Sequence, residues 1–146
     1  MNTENMTGLE FLKSMIKGEI PPPSMATVIP LKLTKVEDGY AMFKATASKN
    51  HLNPMGTVHG GFAATVMDSV TGCAVHTTLG PGDGYGTVDL NVKLLKAVPM
   101  DVELTAEARI IHCSGRLGVS YGTLKDDDGN IYAHATASCM IFRQKA

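Results

Sequence analysis

Apolar residues recur along this chain with two periods, and the switch between them divides it into elements. Between Thr7 and Lys17, the residues Leu9, Leu12, Met15 and Ile16 fall on one helical face, with Thr7 placed to cap it. Pro21-Pro22-Pro23 ends any helix there and makes an extended linker, so this segment reads as a short helix lying on the domain. Met25–Val36 and Tyr40–Ala47 read as strands flanking Glu37-Asp38-Gly39, and Asp-Gly between such runs signals a hairpin. Lys49–Val58, rich in Asn, Pro and Gly, is a loop. Gly60–Leu79 then reads as a helix of roughly five turns, broken by the glycines of Gly80–Gly86. Gly86–Leu95 and Met100–His112 are strands separated by Lys96–Pro99. Leu117–Lys125 and Ile131–Phe142 form a last hairpin across Asp126–Asn130.

Two of these patterns suggest how the elements pack. Val102, Leu104, Ala106, Ala108 and Ile110 alternate with Glu103, Thr105, Glu107 and Arg109, which marks one buried and one wet face. The long helix is different: from Gly61 to Thr78 its only formally charged residue is Asp68, with His76 a second when protonated. A helix without a polar stripe is covered on most sides. Ala133, Ala135, Ala137 and Cys139 alternate on the last strand and are small enough for a helix to come close. The expected class is α+β: an antiparallel sheet wrapped around one long central helix, with a short N-terminal helix. At 146 residues, one domain spanning 1–146 is the natural reading, with 1–23 as helix and linker.

Composition narrows the function classes. The net charge is -1, and the lysines and arginines are scattered, so no concentrated basic face favours a nucleic-acid or membrane partner. Cys73, Cys113 and Cys139 make an odd count without CxxC spacing, which argues against a disulfide framework or a zinc site. The five histidines show no HxxxH spacing, and neither a metal nor a cofactor is expected. Met1–Asn5 is polar, and the apolar run Gly60–Val75 is interrupted by Asp68 and too short to span a bilayer. These features predict a cytoplasmic protein.

The informative stretch is Asn53-Pro-Met-Gly56-Thr-Val-His59-Gly60-Gly61, followed by Asp68. Gly60 and Gly61 lie where loop becomes helix, and a first helical turn offers free backbone N–H groups to a developing oxyanion. The same pair also suits a tight turn and close packing. Asp68 is either a satisfied structural carboxylate, bonded across a subunit interface, or a general base or nucleophile for acyl transfer. Asn53 either orients water or substrate or simply forms the turn. A charged His59 is disfavoured at a helix N-terminus, which points to hydrogen bonding or capping instead. Eight positions on one helix span about 12 Å, too far for Gly60 and Asp68 of one chain to act on one carbonyl. Acting together, they must come from different subunits across a two-fold interface.

At these residues the sequence resembles the hotdog-fold acyl-CoA thioesterases, in the branch of the phenylacetate-pathway enzymes. The likeness rests on an Asn, then Gly-x-x-His-Gly-Gly, then an Asp seven residues past the last Gly, and runs from the N-terminal helix to Phe142. It implies that the Gly60 N–H polarises a thioester carbonyl and that Asp68 of a partner chain activates water or attacks directly. It also implies that Asn53 positions substrate or water. Thr87 matches a Ser/Thr position near the nucleophilic water, or is an ordinary strand residue. Gly61 joins the substrate-binding turn. Ser114-Gly115-Arg116 resembles the segment near the CoA tail, where Arg116 pairs with phosphates or is only a solvated turn residue. The implied partners are a small-molecule acyl-CoA and further copies of the chain, as a homodimer or dimer of dimers.

The resemblance carries rival activities. Hotdog relatives also hydrate or dehydrate enoyl thioesters with a loop histidine and a helix carboxylate, and His51 or His59 with Asp68 meets that description. Others bind acyl-CoA without turnover. Met55, Met67 and Val70 are candidates to line an acyl pocket, where thioether side chains adapt to many shapes.

Overall fold

The computed structural model describes residues 3–144. Helix α1 (Gly8–Ile16) opens with a reciprocal cap: the Glu10 N–H donates to Thr7 Oγ1 at 3.2 Å, and the Thr7 N–H donates to the Glu10 carboxylate at 2.9 Å. Leu12 is buried on the domain and Leu9 and Met15 pack beside it, whereas Ile16 ends the helix exposed.

The segment expected to begin the first strand does something else. Met25–Val28 forms a helical turn, α2, with the Ile29 N–H on the Met25 carbonyl, and Val28 is 64% exposed. Pro30 explains the change, because it has no N–H to extend the ladder into this segment. Strand β1 therefore starts at Leu31 and runs to Glu37. It pairs with β2 (Tyr40–Thr46) through the two-residue turn Asp38-Gly39, where Gly39 takes the positive φ of 74° that favours glycine.

Helix α3 (Gly60–His76) follows, then β3 (Gly84–Leu94), β4 (Glu103–Ser114), β5 (Leu117–Lys125) and β6 (Ile131–Phe142). The six strands form one antiparallel sheet in the order β1-β2-β4-β5-β6-β3, which leaves β1 and β3 as edges. The sheet wraps around α3, which touches β2 through β6. Small inward residues make this possible. Ala133, Ala135, Ala137 and Cys139 are fully buried beneath the helix, as their alternation predicts. A Cβ on Gly118 would come within 2.7 Å of Val75, and one on Gly122 within 2.7 Å of the Glu107 carbonyl. Only Asp68 is exposed among residues 60–76, so the helix is covered on most sides as its composition demands.

The alternation in β4 holds at Leu104, Ala106 and Ala108, and Ile110 packs half-buried against the core, whereas Val102 lies exposed before the strand. The register shift between Ile110 and His112 leaves Ile111 and His112 both exposed. No helix among the described residues is long and apolar enough to cross a membrane.

Candidate active site

The loop before α3 is built from its own polar groups. Asn53 Oδ1 accepts the N–H groups of Met55 and Thr57, and Asn53 Nδ2 donates to Thr57 Oγ1 at 2.8 Å. Asn53 is thus the residue that closes the 53–57 turn. His51 is buried, with Nδ1 accepting from the Ser48 N–H. Its Nε2 must then carry the proton and donate to the Val28 carbonyl at 2.8 Å. The ring clamps α2 to the loop, stacks 5.1 Å from Phe62, and has no nitrogen left for a substrate. The His51 carbonyl accepts the His59 N–H, which sets the start of the helix.

His59 is the N-cap of α3. Its Nδ1 accepts the Gly61 N–H at 2.8 Å, so the neutral ring satisfies one of the free donors of the first turn. The Phe62 N–H goes to the His59 carbonyl. Gly60, the first helical residue, stands apart: among the described residues, no group accepts its N–H. Gly60 also lines a cleft of about 300 Å³ with Thr57, Val58, Ala63 and the segment Leu94–Val98. Leu94 lies over it so closely that a Cβ on Gly60 would meet Leu94 Cδ1 at 2.6 Å.

Asp68 is two turns along the same helix and points away from the core. Its charge is felt by three neighbours. Burial, reinforced by Asp68, pushes the Cys73 thiol up to about 12 and the Tyr85 phenol well above its ordinary range, with the Cys73 thiol adding to the latter. The Cys139 thiol rises for the same two reasons, opposed by its contact with Thr87. Thr87 sits opposite Cys139 in the β3–β6 register, with Oγ1 3.9 Å from the sulfur, and so shares the helix-facing side of the sheet. A register shift between Thr87 and Asp89 marks this part of the strand. Both cysteines stay protonated at neutral pH and offer no thiolate nucleophile.

Gly60 and Asp68 thus stand at different points on α3, the cleft at its start and the exposed carboxylate near its middle, while Thr87 lies on β3 against Cys139. Ser114 and Arg116 join neither. They lie at the β4–β5 turn, at the end of the sheet away from Leu94 and just beyond the row of Gly118, Cys139 and Thr87, where Ser114 Oγ is 2.8 Å from His112 Nε2 and the Gly115 carbonyl accepts from Arg143 Nε. The expected pocket methionine and valine are also elsewhere: Met67 and Val70 are fully buried core, and Met55 is 83% exposed in the loop. Nothing in the sequence pattern singled out Leu94; only the packing of strand on helix brings it over Gly60.

The sequence profile of the Thioesterase superfamily matches residues 55–133, a stretch that holds Gly60, Asp68, Thr87 and Arg116 and begins just past Asn53. An inferred esterase of Saccharolobus solfataricus is 28% identical over 116 residues, covering 80% of this chain and 76% of the relative. An inferred esterase of Halobacterium salinarum is 37% identical over 73 residues, covering 49% of this chain; the match spans about half the length of that relative, 47%. Among solved structures, an inferred thioesterase of Ralstonia eutropha, described as phenylacetic acid degradation-related, is 30% identical with a TM-score of 0.81. That superposition covers 89% of this chain and 98% of the other. A hypothetical thioesterase of Streptococcus pneumoniae, solved with coenzyme A, has the same fold at 23% identity and a TM-score of 0.71, over 80% of this chain and 91% of that one.

Proposed function

The chain belongs to the thioesterase superfamily and has its hotdog fold, and from that premise we propose that it hydrolyses acyl-CoA thioesters to the free acid and CoA. The observation that carries this reading is the unclaimed Gly60 N–H at the first turn of α3, beside a cleft. A pre-aimed donor at the positive end of a helix stabilises the oxyanion of a tetrahedral intermediate without having to reorganise. His59 holds the turn open by taking the neighbouring Gly61 N–H. Asn53 fixes the loop that leads into it, and Gly61, having no Cβ to strike the His59 ring, lets that cap form.

The attacking group is Asp68 of a second copy, as general base for water or as the nucleophile, with Thr87 beside it. Asp68 of the same chain lies about 12 Å along the helix from Gly60, beyond reach of a shared carbonyl. The supporting feature is β3, an unpaired edge of eleven residues with Val88 61% exposed and Leu94 55% exposed. Such an edge is a ready template for a second strand. Two β3 edges paired antiparallel bring the Leu94 end of one copy beside the Gly84 end of the other. The β4–β5 turn lies at that Gly84 end, so Arg116 of the second copy comes to the same side as Gly60 and is free to meet a CoA phosphate.

The enoyl-thioester reading loses its base: the His51 ring is fully engaged, and His59 spends Nδ1 on the cap. The test is thiol release from a panel of acyl-CoA esters. Asp68→Asn should abolish it while the far-UV spectrum and thermal midpoint stay close to those of the parent. Full turnover by that variant would remove the assignment.

A further inference from the structure

We infer that the Gly60 cleft takes the acyl group of a straight-chain aliphatic thioester, and that Leu94 sets how much bulk is allowed next to the reacting carbonyl. This rests on the thioesterase reading and adds the substrate class to it.

Three observations converge on the cleft. Its size, about 300 Å³, stands at the small end of the roughly 300–1,000 Å³ usual for ligand pockets, so it holds a short or medium chain. Its lining is mostly aliphatic, with Val58, Ala63, Leu94, Leu95 and Val98 beside Thr57 and Lys96, and holds no aromatic ring and no acid. The third is positional. Leu94 Cδ1 lies only 2.6 Å from where a Cβ of Gly60 would be, so it borders the spot to which a carbonyl oxygen must come to reach the Gly60 N–H.

The consequence is steric. A linear chain leaves the carbonyl as a slim methylene run and passes Leu94. A ring or branch one or two atoms from the carbonyl meets the isobutyl group first. Leu94 is held by its backbone, paired with Ala133 on β6, while its side chain is half exposed in the single chain and lies outside the buried core. Shortening it therefore opens the approach without emptying the core. One methylene in such a contact is worth on the order of tenfold or more in discrimination.

The experiment compares kcat/KM for hexanoyl-CoA and phenylacetyl-CoA, and for the N-acetylcysteamine esters of the same two acids. The parent should favour hexanoyl-CoA. Leu94→Ala should raise the phenylacetyl-to-hexanoyl ratio about tenfold or more, and Leu94→Phe should lower it, with the same trend in the short thiol esters. An unchanged acyl ratio in both folded variants would overturn the inference. So would a change only in the ratio of CoA to N-acetylcysteamine esters, since the cleft would then hold the thiol arm. A parent that releases no thiol from any of the four esters would take down the thioesterase reading itself, and the inference with it.

Discussion

Gly60 concentrates three properties that glycine alone combines. It has no Cβ to strike Leu94, it borders the cleft, and its N–H is unclaimed. As the first residue of α3 it occupies the one helical position where proline is well accepted, since the N–H lost there belongs to no helical bond. His59 before it has φ -61° and ψ 135°, the extended geometry that a following proline requires. Gly60→Pro therefore removes the proposed oxyanion donor with little harm to the fold, while Gly60→Ala adds the Cβ and keeps the donor. The alanine variant controls for bulk, and the proline variant should turn over roughly 100- to 1,000-fold more slowly than it. Steady-state thiol release with a melting curve on each checks this; equal rates in the two variants would show that the N–H has no part.

The elements meet at one crowded junction, where the end of α3 is pressed between α1 and β3. The His76 ring lies 5.5 Å from Phe11 and 5.3 Å from Tyr85, and Gly8 abuts the His76 carbonyl so closely that a Cβ there would collide with it. Burial holds the His76 pKa below its ordinary 6.5, because this pocket disfavours the imidazolium. The unfolded chain then binds a proton more readily than the folded one, so stability is complete above about pH 6.5. It falls as the pH drops from there through the lower, folded value. The parent's thermal midpoint should decline between pH 7.5 and 5.5, and His76→Gln should decline less. Parallel midpoints in the two proteins would mean that the ring is not the group responsible.

At the scale of the whole molecule, the proposed reaction makes a single chain half of a site. It carries a hydrogen-bond donor for a carbonyl oxygen at the start of α3 and an exposed carboxylate near its middle. β3 is an edge of the sheet, and the proposed pairing of two such edges would join the halves. Complementation tests this directly. Asp68→Asn and Gly60→Pro chains, each inactive alone, should regain about half of the parental activity per correctly mixed dimer, since one of two sites is then intact. The readout is thiol release after co-refolding differently tagged chains and isolating the doubly tagged species. Mixed dimers that form but stay inactive would contradict a site shared between copies.

How much of this the sequence determined follows from the range of the forces involved. The uncharged run of α3, the Asp38-Gly39 turn signal and the alternation of small residues in β6 were each legible because each depends on neighbours a few residues away. The capping role of His59 was legible for the same reason: its partner, Gly61, is two positions on. The Gly60-to-Asp68 distance was also fixed in advance, since one helix carries both. What needed tertiary structure were the outcomes set by remote groups. Pro30 and the clamp of His51 on the Val28 carbonyl turned an expected strand end into a helical turn. Packing against the sheet sent Met67 and Val70 into the core instead of a pocket, and strand β3 carried Leu94 over Gly60 from thirty-four positions away. No local pattern encodes that contact, because it exists only once the sheet has closed around the helix.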